Sequence, residues 1–294
     1  LPALVIAADG RIADVNPAAE TFLNASARSL VGHPLLDQFD ILFTDFNSAS
    51  SYSGPAVLRL LRSSAGQPRH ASLYGNPDSR AHTFDNLRRV GYETQWAMNH
   101  DGKFGNFLND IRVNGGLKVS SFNPKSAAPY LISFDGSRVL DDYSLLSKWW
   151  EQRLGNPSAR VAFFYNTISL HDGNRLDASR LNSLDSYRQR ARKLLADISN
   201  FMALISASKR NVVVVFVPEH GASLRGDKMQ IAGMREIPSY AISRVPVGVN
   251  LVGAARHLRR RARRAQGPGA QHRMGQAVGG VSGSGRRHGF PRPV

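Results

Sequence analysis

Apolar and polar positions alternate along this chain with two periods, and the change from one to the other marks its elements. Val212 to Val217 is an unbroken apolar run, mostly β-branched and bounded by Asn211 and Pro218, which predicts a strand buried on both faces of a parallel sheet. Arg160 to Leu170 reads as another strand, and Tyr92 to Met98 as a third, following a short helix over Phe84 to Val90 that Gly91 stops. Between them, Leu184, Tyr187, Ala191, Leu194, Ile198, Phe201 and Ile205 recur at helical spacing. Leu181 to Ser206 is therefore predicted to be the longest helix, with that stripe in the core. A strand, a crossover helix and a second parallel strand bring both carboxyl ends to one edge of a sheet. The predicted fold class is α/β.

Shorter signals fill in the rest. Ala56 to Arg62 has helical apolar spacing, with Ser53 as the natural N-cap and Pro55 where a first-turn proline is tolerated. Phe104 to Val113 reads as a helix ending at Asn114-Gly115-Gly116, and Asn99 to Lys103 as the loop before it, where His100 is predicted to bond to backbone. Near the start, Ala3 to Ala8 and Arg11 to Val15 flank Asp9-Gly10, a hairpin signal, and Asn16 to Glu20 opens a short helix.

In open α/β sheets ligands bind outside the carboxyl ends of strands. Here those ends carry Glu219 beside His220, and His171-Asp172-Gly173. A carboxylate next to an imidazole suits a divalent metal. Ser53 would place its hydroxyl at the positive end of a helix dipole, among free N–H groups that favour an attached phosphoryl group.

Composition alters the picture in two ways. The chain of 294 residues carries a net charge of +16, yet ten of those charges are arginines within residues 254–294, a stretch with no Lys, Asp or Glu. His257 to Arg264 reads His-Leu-Arg-Arg-Arg-Ala-Arg-Arg and is followed by Gly, Gln, Pro and Ser, which predicts a disordered basic tail. Without interleaved aromatics or a reading module, it gives no specific nucleic-acid binding. Second, the chain has no cysteine, which removes disulfides and thiolate ligands. No apolar run is long enough to cross a bilayer, and the first residues lack the basic start of a signal peptide.

Four motifs then carry a resemblance. Ser-Tyr-Ser-Gly-Pro at 51–55, Gly-Tyr-Glu-Thr-Gln-Trp-Ala-Met-Asn-His-Asp-Gly-Lys-Phe-Gly-Asn-Phe at 91–107, Ser-Leu-His-Asp-Gly-Asn-Arg at 169–175 and Val-Pro-Glu-His-Gly at 217–221 occur in order. Over residues 33 to 252 the chain resembles the catalytic domain of the BcsG family, the cellulose phosphoethanolamine transferases of the alkaline phosphatase superfamily. The resemblance implies a sheet sandwiched by helices and transfer of phosphoethanolamine from phosphatidylethanolamine to glucose hydroxyls of cellulose. It implies Ser53 as the nucleophile and a ligand of one zinc ion, with Tyr52 beside it. Glu219 and His220 would be further zinc ligands, and His171 and Arg235 would contact the phosphoryl group or move protons. It also implies the cellulose synthase complex as a partner and, for the family, a periplasmic catalytic domain anchored in the inner membrane.

The chain departs from that pattern at both ends. Its opening, Leu-Val-Ile-Ala-Ala-Asp-Gly-Arg-Ile-Ala-Asp-Val-Asn-Pro-Ala-Ala-Glu, resembles the start of a PAS sensor domain, so residues 1–32 are expected as a partial PAS-like piece in place of the family's first strand and its cysteine ligand. Ala65 and Ala81 stand where family members can carry cysteines, and Arg244 stands where superfamily enzymes often place a histidine. The expected organisation is an incomplete transferase domain over 33–253, truncated at both ends, followed by the tail. A non-catalytic remnant with a PAS-like signalling segment is the second reading. Removing residues 254–294 is expected to leave the melting temperature unchanged, since so little apolar surface cannot offset the entropy of ordering; a clear drop would show that the tail packs.

Overall fold

The architecture below comes from a computed structural model that describes residues 4–6, 12–15, 40–62, 70–74, 82–117, 122, 127–176, 183–223, 235–237 and 239–253. The helix expected at Asn16 to Glu20, positions Ala65 and Ala81, and the tail lie outside those residues. Strands β1 (Leu4–Ile6) and β2 (Ile12–Val15) pair antiparallel as the expected hairpin.

The centre of the fold is a parallel pair, β4 (Glu93–Met98) and β7 (Val161–Asn166), in register from Glu93↔Val161 to Met98↔Asn166. Because side chains alternate across a strand, β7 serves two cores. Ala162 and Phe164 pack with Val57, Leu58, Leu61, Trp96, Met98 and Ile111, the core under α1 (Ser53–Arg62) and α3 (Phe107–Gly115). Val161, Phe163 and Tyr165 face Trp149, Trp150, Phe201 and Ile205, contributed by α4 (Asp142–Gly155) and α5 (Ser183–Ala207). Trp149 lies flat on Phe163, with ring centroids 3.8 Å apart. A sheet between two helical layers is the arrangement the resemblance implied.

α4 begins at a sequence-encoded cap, with the Asp141 carboxylate accepting from the Ser144 N–H at 2.8 Å. The stripe predicted for α5 is in place, with Leu194, Phe201 and Ile205 buried. That helix also buries Arg190 and Asp197, which the apolar period does not announce.

Two strand expectations need correction. β7 ends at Asn166 rather than Leu170, because the next turn is captured by Asn99: its Oδ1 accepts from the Ile168 N–H at 3.0 Å, and its Nδ2 donates to Thr167 Oγ1 and Ser169 Oγ, each at 2.9 Å. The run from Val212 is strand β9 (Val212–Phe216), but its partner is antiparallel, β10 (Arg244–Val252), in the order β3-β10-β9. Among the described residues β9 is one edge of that sheet. Val212 and Val214 meet the α4–α5 core, whereas Val213 and Val215 are 59% and 57% exposed. The strand is covered on one face, so an apolar run of this length did not require two-sided burial. On the far side of β10 runs β3 (Ile41–Asn47), a strand the apolar pattern did not mark.

A further sheet, β6-β5-β8, joins β5 (Pro129–Ile132), β6 (Arg138–Leu140) and β8 (Arg175–Leu176). The hairpin between β5 and β6 and the turn after β7 thus meet at one end of the molecule. The short helix α2 (Thr83–Arg89) precedes β4, and α6 (Tyr240–Ser243) precedes β10.

Gly116 closes α3 at φ 76°, and a Cβ there would stand 2.7 Å from Nδ1 of the fully buried His82. Gly116→Ala therefore combines left-handed strain with a clash against a ring that cannot retreat, and is expected to cost about 2–3 kcal/mol in denaturant unfolding. An unchanged unfolding midpoint would contradict this packing.

Candidate active site

Ser53 stands where α1 starts. The Ala56 N–H donates to the Tyr52 carbonyl at 3.0 Å, so Tyr52 occupies the cap position and Ser53 is the first helical residue, not the N-cap expected from sequence. Its hydroxyl is spent elsewhere: Oγ lies 3.2 Å from Nε2 of His220. The helix still directs the positive end of its dipole and its first free N–H groups at this corner.

His220 and Glu219 arrive from the end of β9. His220 Nδ1 donates to the Gly221 carbonyl at 2.8 Å, which leaves the Nε2 lone pair pointing at Ser53. Burial, reinforced by the nearby Arg235 charge, lowers the His220 pKa to about 4, and the ring is neutral at neutral pH. Glu219 Oε1 is 3.6 Å from that same Nε2, and its Oε2 is buried with no hydrogen-bond partner among the described residues. Burial raises the Glu219 pKa, opposed by the Ser53 hydrogen bond and the Arg235 charge.

The second half of the site is built on the turn after β7. Arg235, 5% exposed, forms an ion pair through Nη2 with Oδ2 of Asp172. The backbone carbonyl of Asp172 accepts from His171 Nδ1 at 2.7 Å, so His171 offers its Nε2 lone pair. Burial lowers the His171 pKa. One residue therefore orients both a cation and a base. The turn itself is braced from three sides: Arg190 Nη1 donates to the Ser169 and His171 carbonyls at 2.6 and 3.2 Å, Asn174 Nδ2 donates to the Ile168 carbonyl at 2.5 Å, and Asn99 holds Thr167 to Ser169. Gly173 sits at φ 81°, where a Cβ would come within 2.9 Å of the Phe134 Cβ.

Of the residues singled out from sequence, Ser53, Glu219 and His220 lie together, and Arg235 and His171 are joined to each other through Asp172. Tyr52 is turned outward: it is 41% exposed and its hydroxyl donates to Glu236 Oε1 at 2.8 Å. Burial and then Glu236 raise its pKa. His100 behaves as the backbone-bonded loop residue expected, Nδ1 accepting from the Gly102 N–H at 3.1 Å while Nε2 lies 3.2 Å from Asn166 Oδ1. Arg244 packs over the Tyr240 ring instead of entering the site. Sequence reading missed Asp172, Arg190, Asn99 and Asn174. Asp172 and Asn174 stood in a quoted motif, but their roles depend on partners distant in sequence.

Ser53 Oγ, the Glu219 carboxylate and His220 Nε2 form an oxygen and nitrogen set, and a buried carboxylate oxygen without a partner is what a cation would satisfy. The residues fit a metal, though sparsely: among the described residues no group of three or more His, Asp or Glu side chains could hold one. Opposite, the buried Arg235 Nε also has no hydrogen-bond partner among the described residues. A serine hydroxyl and a neutral imidazole, with a buried guanidinium near enough to lower the His220 pKa, are groups of the kind that bind a phosphoryl group.

Comparison with known proteins bears on the fold and the family. A protein of the alkaline phosphatase superfamily from Vibrio parahaemolyticus shares the fold, with a TM-score of 0.51 at 14% identity over 74% of this chain and 54% of that one. The cellulose biosynthesis protein BcsG of Escherichia coli strain K12 is 41% identical over 239 residues, and that of Salmonella typhimurium 42% identical over the same length. The match takes in 81% of this chain and 42% of each relative, so the chain spans about four-tenths of their length. No helix among the described residues is long and apolar enough to cross a membrane. The profile of the cellulose biosynthesis protein BcsG C-terminal domain matches residues 22–270, and with the Ser53 corner and the superfamily fold in place, the chain belongs to the BcsG C-terminal domain family.

Proposed function

We propose that this chain transfers phosphoethanolamine from phosphatidylethanolamine to glucose hydroxyls of cellulose through an ester on Ser53. The observation that carries the reading is the Ser53 hydroxyl, 3.2 Å from a neutral His220 nitrogen at a helix start, with buried Arg235 and Glu219 beside it.

In the first half, Ser53 gives up its hydroxyl proton to solvent, Oγ attacks phosphorus, the new O–P bond forms, and the bond from phosphorus to the lipid glycerol oxygen breaks. Diacylglycerol leaves and takes up a proton. In the second half, a glucose hydroxyl attacks the seryl ester, its proton departs to a base, and Ser53 is regenerated. Arg235 supplies charge to the phosphoryl oxygens, held at its station by Asp172. His171, with Nδ1 committed to the Asp172 carbonyl, has its Nε2 lone pair free to take the proton from the acceptor hydroxyl and return it to the departing Ser53 oxygen. Ser53, Glu219 and His220 would hold one zinc ion, which when bound lowers the serine pKa and polarises the phosphoryl oxygens.

With two strong ligands and a hydroxyl, zinc binding is expected to be weak in calorimetric titration of the purified chain and lost in Glu219→Ala and His220→Ala. Hydrolysis of a phosphoethanolamine ester is expected to rise with zinc occupancy. Tight stoichiometric zinc that neither substitution disturbs would refute this corner as the metal site. Asp172→Asn tests the other half. Removing the carboxylate charge leaves Arg235 buried without its counter-ion and is expected to cost about 3 kcal/mol of stability, together with a weaker affinity for inorganic phosphate. Wild-type stability and phosphate binding in that variant would show that Arg235 is oriented by something else.

A further inference from the structure

We propose that Phe104, braced edge to face by Phe134 beside His171, stacks against a sugar ring of a β-linked glucan, holding the acceptor chain for transfer. The inference rests on the transfer reading above and names the acceptor subsite of that same site.

The two rings are linked to the site by direct contact. Phe134 stacks on the His171 ring with centroids 4.2 Å apart and planes 20° from parallel. Phe104 meets Phe134 edge to face at 4.7 Å and 85°. Both remain open to solvent, Phe104 at 62% and Phe134 at 37% exposure. A ring lying beside His171 would bring a bound sugar hydroxyl to the one group positioned to accept its proton.

Their presentation is built into the backbone. Phe134 is at the tip of the β5–β6 hairpin, where its N–H donates to Asn174 Oδ1 at 3.1 Å and Gly173 allows the close approach described above. Phe104 opens a short turn in which Gly105 and Asn106 take φ values of 57° and 61°. A left-handed asparagine is an uncommon conformation, and two such residues in succession throw Phe104 outward instead of into the core under α3. This turn lies in the 91–107 motif, whose conspicuous aromatic residue the transfer chemistry leaves without a task.

The surroundings favour a sugar over a lipid tail. The rings are bordered by exposed Asp101, Lys103 and Asp135, with Lys103 Nζ 3.3 Å from Asp101, and hydrogen bonds from Ser137 hold Asp135 below the usual carboxylate range. An acyl chain needs continuous apolar surface, which these charged neighbours interrupt. A pyranose instead offers a flat C–H face to an aromatic ring and equatorial hydroxyls to charged groups at its edge.

Calorimetry of the full chain with cellohexaose, in the absence of any phosphoryl donor, tests this subsite independently of whether Ser53 transfers anything. Wild type is expected to bind, Phe104→Trp to keep or improve the affinity, and Phe104→Ala to lose it by about fivefold or more at an unchanged melting temperature. Phe134→Ala should weaken binding likewise. Equal affinity in wild type and Phe104→Ala, or no cellohexaose binding by the wild-type chain up to the solubility limit, would overturn the proposal. So would loss on Phe104→Ala of binding to phosphatidylethanolamine vesicles with cellohexaose binding intact, since the ring would then serve the lipid.

Discussion

The ion pair between Arg235 and Asp172 is the contact on which the site depends. A guanidinium only 5% exposed, close enough to depress the pKa values of both His171 and His220, is costly without a counter-charge. Asp172 supplies that charge from a turn whose own shape is fixed by Arg190, Asn99 and Asn174. The pair therefore links the end of β7 to the segment preceding β10. It also gives the site a cationic side, set against the proposed metal ligands Glu219 and His220.

The scaffold explains why these groups can be held so closely. β7 is packed on both faces, by α1 and α3 on one side and α4 and α5 on the other, so its carboxyl end is anchored by two cores. β9 lies on one side of β10 and β3 on the other, and the Gly221 N–H donates to the Ile242 carbonyl at 2.8 Å, which fixes the chain just after His220. Ser53 sits on a helix whose Ala56, Val57, Leu58 and Leu61 are buried. Each reactive group thus emerges from an element that cannot shift without opening apolar surface.

Much of this was legible in the sequence where the signal is local. The β4 strand, the α5 stripe, the hairpin at β1–β2 and the strand-end residues follow from periodicity and from turn chemistry. What was not legible depends on pairing at a distance. β3 has no apolar alternation of its own and is a strand because β10 pairs with it. The run from Val212 could not disclose that it borders an antiparallel sheet, with Val213 and Val215 open to solvent. Ser53 looked like a cap because serine usually is one at that place, and only His220, far along the chain, draws its hydroxyl away. Asp172 was visible beside His171, but nothing local marks Arg235, between Met234 and Glu236, as its partner.

The central claim is that Ser53 is a nucleophile that carries the transferred group. The most direct measurement is peptide mass mapping of the chain after incubation with phosphatidylethanolamine and zinc, quenched before the acceptor is added. One phosphoethanolamine group is expected on the peptide containing Ser53, absent in Ser53→Ala and discharged when cellohexaose is supplied. A modified peptide lacking Ser53, or release of diacylglycerol with Ser53 unmodified at every time point, would contradict that claim.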